Sequence, residues 1–119
     1  MNAVYHARAS AKKWGGSWED YMCIHQWIDA SKESMGDIRH RALRHHSQGI
    51  FECERIFGKE LEISTGKKVP VREIAELHVV QDLGYIPTLS DWLREMPIKM
   101  WMSGQRNKIT KTIKLDETV

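Results

Sequence analysis

Two histidines lie inside the apolar stripes of predicted helices, and this placement constrains the fold more than any other feature of the sequence. His46 falls within the apolar arc of a predicted third helix. His78 falls within that of a fourth, where Asp82 follows one turn later. A buried imidazole with neither a hydrogen-bond partner nor a metal destabilises a core by a few kcal/mol. The interior of this protein must therefore supply polar partners for both side chains.

The composition is typical of a soluble single-domain protein. The 119 residues are 41% hydrophobic and 29% charged, and the net charge of +2 does not demand a nucleic-acid or membrane partner. No apolar run approaches the about 20 residues that span a bilayer, and the N-terminus lacks the apolar segment of a signal peptide. Cys23 and Cys53 are interpreted as unbridged thiols. We therefore expect a cytoplasmic protein with no membrane partner.

Capping and turn signals divide the chain into five predicted helices and one β-hairpin. The predicted helices cover residues 3–14, 17–31, 38–57, 71–83 and 88–96, and the hairpin covers residues 61–71. The long third helix follows Gly36 and Asp37 and stops at Gly58. The predicted fold class is mainly α, a compact helical domain with a small β-hairpin between helices three and four. Residues 1–104 form this domain, and residues 105–119 form a polar C-terminal arm.

Two His–Asp pairs at helical spacing are the main signal for chemistry. His78 and Asp82, like His25 and Asp29, are four residues apart and share a helix face. Both carboxylates fall near a helix C-terminus, where the helix dipole disfavours negative charge, so a semi-buried carboxylate there needs a cationic or metal partner. Together with His46, these pairs could supply nitrogen and oxygen ligands for zinc, manganese or iron.

A purely structural role would explain the same residues. Each His–Asp pair could be an intrahelical hydrogen bond, and His46 could be a neutral core histidine that donates to a backbone carbonyl. The sequence has no HExxH, no zinc-ribbon cysteine pair, no GxSxG and no phosphate-binding glycine loop. If there is a reaction, metal-assisted hydrolysis is the most natural class. His45 or Glu52, on one side of the predicted third helix, would then transfer the proton.

Two binding functions remain open beside the metal site. The segment RHRALRHH places Arg41 and Arg44 on the predicted solvated face of the third helix, where they could hold nucleic-acid phosphates in a salt-sensitive contact. Residues 96–102, MPIKMWM, combine methionines with Trp101 and suit a protein partner or a homo-oligomer contact. The same strip could instead fold back over the helices as a lid.

Several elements of the chain resemble a family of small uncharacterised phage and bacterial proteins. They are HARASAKKWGG, the pattern RHRALRHHSxGIF, the pattern VPVRxIxExHVxxDLGxIPTxxDWL and the trailing WMSG, and they cover roughly residues 5–104. The resemblance implies a compact domain in a phage or mobile-element setting, with a host or phage macromolecule as a possible partner. It implies no reaction. His6 belongs to the HARASA element and joins the ligand candidates.

Overall fold

The computed structural model describes residues 2–104, which are mainly helical with one small β-hairpin, so the predicted fold class is confirmed. The predicted C-terminal arm, residues 105–119, lies outside the described residues. The regular elements are α1 (Ala3–Trp14), α2 (Met22–Asp29), α3 (Ser47–Phe57), β1 (Glu60–Glu62), β2 (Lys68–Pro70), α4 (Val71–Leu83) and α5 (Leu89–Leu93). Four 3₁₀ helices also occur within residues 2–104, at Trp18–Tyr21, Ala30–Glu33, Ile38–Leu43 and Met100–Ser103.

Local signals set the ends of most helices as predicted. Asn2 caps α1, since its side chain accepts a hydrogen bond from the Tyr5 N–H. Ser17 and Asp20 form a capping box that opens the second helical region, which comprises a 3₁₀ turn, α2 and a second 3₁₀ turn. The helix α4 ends at Gly84, whose φ of 85° is the left-handed conformation that glycine adopts without strain.

The predicted continuous third helix is wrong, because the chain breaks between Leu43 and Ser47. His46 takes an extended conformation and caps α3, with its Nδ1 accepting from the Gly49 N–H at 3.0 Å. A Cβ on Gly49 would lie 2.0 Å from the Arg44 carbonyl oxygen, so only glycine permits the incoming turn to pack this closely. The helix α3 therefore begins after His46 and does not extend back to the preceding 3₁₀ helix.

The hairpin pairs β1 with β2 in antiparallel register, with Leu61 opposite Val69. Val69 is buried, and Pro70 ends β2 directly before α4 begins. The hairpin thereby joins α3 to α4, which pack against each other.

The core contains an apolar cluster and an unusual share of imidazole. Apolar residues from the helices and the hairpin form one cluster in which α4 also packs against α1 and α2. All six histidines are buried, none more than 4% exposed: His6, His25, His40, His45, His46 and His78. Both cysteines are free thiols, as expected. No helix within residues 2–104 has the length and apolarity needed to cross a membrane.

Candidate metal centre

Four side chains from distant parts of the chain converge at one buried point. Asp29, His45, His78 and Asp82 each offer one nitrogen or oxygen atom, and these four atoms lie within 4.8 Å of one another. The side chains of both histidines are fully buried, that of Asp82 is 1% exposed and that of Asp29 is 8% exposed. We call these four residues the His/Asp cluster.

The fold positions each member of the His/Asp cluster by a different local feature. Asp29 is the last residue of α2, while His78 and Asp82 lie one turn apart on α4, which packs against α2. His45 lies in the break that precedes α3. The break is therefore part of the site, because it brings His45 rather than His46 to the face of α4.

The distances within the cluster suit a small cation. The Nε2 atom of His78 lies 3.1 Å from Asp29 Oδ1 and 3.3 Å from Asp82 Oδ2. The Nε2 atom of His45 lies 2.9 Å from Asp82 Oδ2 and 3.6 Å from Asp29 Oδ1. Ligand atoms around a tetrahedral zinc ion are about 3.3–3.4 Å apart. The shorter contacts also suit hydrogen bonds from imidazole N–H groups to the carboxylates.

Behind the cluster, a chain of hydrogen bonds determines which nitrogen of His78 carries a proton. The Ser10 hydroxyl donates to the His6 carbonyl oxygen at 3.1 Å, so its oxygen accepts from the His25 Nε2–H at 2.8 Å. Burial, together with the neighbouring His78 and His6, lowers the pKa of His25 to about 2, so His25 is neutral at pH 7. Its Nδ1 is then an acceptor.

The proton between the two facing rings must therefore belong to His78. The Nδ1 atoms of His25 and His78 are 2.9 Å apart, and His78 is the donor. The Nε2 of a neutral His78 then turns a lone pair towards both carboxylates, an arrangement that a cation would stabilise. A protonated His78 instead donates to them. His25, predicted as a ligand, is thus the partner of a ligand.

His6 contacts the other oxygen of Asp82. Its Nε2 lies 3.1 Å from Asp82 Oδ1, its Nδ1 lies 2.7 Å from Gln81 Oε1, and its ring stacks on that of His78 with centroids 3.7 Å apart. His6 therefore adjoins the His/Asp cluster through Asp82. His6 and Ser10 are four residues apart on α1, and this spacing places both on one polar face of the helix.

The cluster shifts the pKa values of its own members. Burial raises the pKa of Asp82, but hydrogen bonds from His45, His6 and His78 outweigh it and hold that pKa below the usual range. Burial also raises the pKa of Asp29, but the hydrogen bond and charge of His78, together with Lys32 and His45, outweigh burial and lower that pKa. Burial lowers the pKa of His45, whereas bonds to Asp29 and Asp82 overcome burial and raise the pKa of His78. At neutral pH both carboxylates are ionised and His45 is neutral.

Two buried polar atoms of the cluster lack a hydrogen-bond partner in the part of the chain that the structure describes. Within residues 2–104, Asp29 Oδ2 and His45 Nδ1 are buried and have no hydrogen-bond partner. Buried polar atoms without a partner are uncommon in folded proteins, and a bound ion or water at the site is one physical reason for them.

Two predicted site residues lie apart from the cluster. Both ring nitrogens of His46 are engaged by backbone groups, since Nδ1 accepts from Gly49 and Nε2 donates to the Ala42 carbonyl at 3.0 Å. Glu52 lies on α3 and pairs with Arg55 on the surface. His46 is therefore placed as a helix cap, and Glu52 is placed as a surface residue.

Neither predicted phosphate-binding arginine lies on a solvated helix face. The guanidinium of Arg44 stacks over the Trp27 ring at 4.0 Å and donates to the Trp27 carbonyl. The Nη2 atom of Arg41 lies 3.8 Å from Asp82 Oδ1, and the side chain is only 21% exposed. Arg41 lies in the 3₁₀ helix Ile38–Leu43 and Arg44 is its C-cap, so neither follows the face of the predicted continuous helix.

Comparison with known families matches residues 1–102 to the family described as "Domain of unknown function (DUF6915)". The chain belongs to this family. The match includes every residue of the His/Asp cluster and confirms membership of an uncharacterised family, while the phage setting stays a prediction. No curated protein and no solved structure matches the chain.

Proposed function

We propose that this protein binds a divalent transition metal at Asp29, His45, His78 and Asp82, and that the bound metal supports a hydrolytic reaction. The single observation that carries the proposal is the convergence of four buried ligand atoms, two imidazole nitrogens and two carboxylate oxygens, within 4.8 Å. This mixed donor set is common for zinc, manganese and iron in proteins.

Electrostatics favour a divalent cation at this point. Two ionised carboxylates buried together repel each other and lose their hydration, so they are strongly unfavourable without positive charge between them. A divalent ion would compensate both Asp29 and Asp82 and would use the Nε2 lone pairs of His45 and His78. The proton assignment through Ser10 and His25 supports the proposal, because it fits a neutral His78 whose Nε2 is free to coordinate.

Because four protein ligands fill a tetrahedral site, hydrolytic chemistry would require a metal that also holds a water as an additional ligand, and the metal would lower the pKa of that water. His45, predicted to transfer a proton, acts in this proposal as a ligand. Glu52 has no part in it, because its carboxylate pairs with Arg55. The chain's own contribution is to hold four ligands in a site that excludes bulk water.

The alternative is a binding module in which the histidines are structural. A protonated His78 between Asp29 and Asp82 would stabilise the core without metal. One observation favours a binding function: in the segment 96–102, Ile98 is 91% exposed and Trp101 is 64% exposed, which suits a protein partner better than a lid over the helices. A cytoplasmic phage or bacterial accessory role is compatible with either function.

Elemental analysis tests the proposal directly. Untagged protein, purified without chelating resin and exchanged into metal-free buffer, is expected to hold near-stoichiometric zinc, manganese or iron. His78→Gln and Asp82→Asn should remove the metal, and Glu52→Gln is the matched control that should retain it. A folded wild-type protein that neither contains nor takes up these metals would contradict the proposal and leave the structural alternative.

Hydrolysis is tested separately on the metal-loaded protein. Phosphoesters and nucleotides are screened as substrates, and any turnover is expected to disappear with a chelator and in Asp82→Asn. Turnover that survives in Asp82→Asn would show that the activity arises elsewhere.

A further inference from the structure

Two cationic side chains flank the carboxylates of the His/Asp cluster. The Lys32 ammonium lies 3.9 Å from Asp29 Oδ2, and Arg41 Nη2 lies 3.8 Å from Asp82 Oδ1. Both contacts are ion pairs, at distances longer than a direct hydrogen bond. Lys32 follows α2 in the 3₁₀ helix Ala30–Glu33, and Arg41 lies in the 3₁₀ helix Ile38–Leu43.

The side chain of Asp29, beside Lys32, is the most exposed in the cluster. The side chains of His45 and His78 are fully buried, whereas that of Asp29 is 8% exposed. Lys32, one turn after Asp29, is 48% exposed, and Arg41 is 21% exposed. An exogenous ligand that reaches the centre at Asp29 therefore passes Lys32, with Arg41 beside the second carboxylate.

The charge of this arrangement depends on the metal. Lys32 and Arg41 lie beside the outer oxygens, Asp29 Oδ2 and Asp82 Oδ1, so both pairs can persist when a metal binds the inner ones. A divalent cation would compensate the two carboxylates by itself, and the two flanking cations would then give the loaded centre a net positive charge. Because uncompensated charge in a partly buried site is unfavourable, the loaded centre attracts a dianion.

We propose that the metal-loaded centre binds a phosphate dianion, free or as the terminal group of a phosphate monoester, between Lys32 and Arg41. This inference rests on the proposed function, since it requires the bound metal. A guanidinium matches two phosphate oxygens with two parallel N–H groups, and the ammonium acts as a point charge. A carboxylate ligand carries only one charge and would compensate one of the two cations.

Calorimetric titration with inorganic phosphate tests this binding. The protein is compared in its manganese-loaded and metal-free forms, in low-salt buffer that contains no phosphate. Phosphate is expected to bind the loaded form at least tenfold more tightly than the metal-free form, and more tightly than acetate does. Lys32→Met and Arg41→Met should retain manganese and each weaken phosphate binding at least fivefold. The control Arg55→Met removes an exposed cation that pairs with Glu52, and it should change neither property.

The outcomes separate this inference from the proposed function. If the wild-type protein binds no metal, the metal centre itself is wrong. If it binds manganese but phosphate binds neither tightly nor in a way that depends on Lys32 and Arg41, only the present inference is overturned. If Arg41→Met fails to fold, Arg41→Lys takes its place: it keeps the charge but loses the two parallel N–H groups, so it should weaken phosphate binding, and unchanged affinity would contradict the inference. Turnover of p-nitrophenyl phosphate identifies the monoester as a substrate, whereas competition with phosphate without turnover identifies it as a ligand. A monoester that does neither would contradict the inference for esters.

Discussion

The Nδ1 atoms of His25 and His78 lie 2.9 Å apart in the core, and the proton between them belongs to His78. This follows from Ser10, whose hydroxyl proton is directed to the His6 carbonyl and whose oxygen can therefore only accept from His25. With its proton on Nδ1, a neutral His78 presents the lone pair of Nε2, on the opposite edge of the ring, to Asp29 and Asp82. A serine on α1 thereby influences the protonation of a candidate metal ligand on α4.

Replacing Ser10 with alanine should weaken metal binding although Ser10 touches no ligand atom. Without Ser10, the His25 Nε2–H has no acceptor. If His25 instead carried its proton on Nδ1, that N–H would face the Nδ1–H of His78. Loss of such an outer partner typically reduces metal affinity by about 10–100-fold. Competition with a chromophoric chelator measures this affinity. Ser90→Ala, an exposed serine on α5, is the control, and equal affinity in both variants would contradict the relay.

Metal should stabilise the wild-type protein against urea, and Asp82→Asn should abolish this stabilisation. A ligand that binds only the folded state adds about 4 kcal/mol to the free energy of unfolding at a thousand times its Kd. Removing one charged partner from a buried pair also destabilises the metal-free protein by about 3–5 kcal/mol. Urea melts with and without metal measure both effects. An Asp82→Asn protein that is still stabilised by metal as strongly as Glu52→Gln would exclude Asp82 as a ligand.

The metal-free protein should begin to lose stability below about pH 6.5. Burial holds the pKa of His25 at about 2 in the folded state and lowers that of His46, so both are neutral when folded and become protonated on unfolding. Their contribution is present above the unfolded pKa and is lost as the pH falls, by up to about 1.4 kcal/mol per pH unit for each histidine. The raised pKa of His78 acts in the opposite sense, because its contribution is present below about pH 6.5 and is lost as the pH rises through the folded value.

Urea unfolding at several pH values between 7.5 and 5 measures this slope. His46→Asn is the informative variant, since asparagine is also a good N-cap but does not titrate. Its stability is expected to fall less steeply with acid than that of the wild type. An identical slope would show that His46 is not a neutral buried group in the folded state.

Gly49→Ala should destabilise the fold and weaken the metal centre together. The added methyl would lie 2.0 Å from the Arg44 carbonyl oxygen, so the segment that carries His45 must move. Overpacking of this kind destabilises by about 1–3 kcal/mol. Gly36→Ala is the matched control, because nothing lies within 4 Å of its Cβ position. Thermal unfolding and metal titration of the two variants make the comparison, and equal behaviour would contradict the close approach at Gly49.

Part of this architecture follows from the sequence alone. The bounds of α1 and α4 could be predicted, because Gly15 and Gly84 mark where periodicity ends. The pairing of His78 with Asp82 follows from their spacing on one helix. Asp29 falls near the C-terminus of the second predicted helix, where the helix dipole disfavours a carboxylate, so it too could be predicted to need a partner. These features depend on neighbouring residues only, which is why periodicity and capping reveal them.

Other features depend on contacts between distant segments. The close contact of Gly49 with Arg44 breaks the third helix, and this break exchanges His46 for His45 at the cluster. Periodicity carries no information about such a contact. The role of His25 depends on which nitrogen meets His78 on another helix, and the position of Arg41 depends on a 3₁₀ turn that points it at Asp82.

The distribution of the four ligands along the chain also determines when an ion could be captured. Asp29 and His45 precede the hairpin, whereas His78 and Asp82 both lie on α4, which follows the hairpin and packs against α1, α2 and α3. A nascent chain that has not yet extended its α4 segment from the ribosome holds only half of the donor atoms. If the protein binds a metal as proposed, loading would be a late step of biogenesis, and the ion would hold together segments that are synthesised at different times.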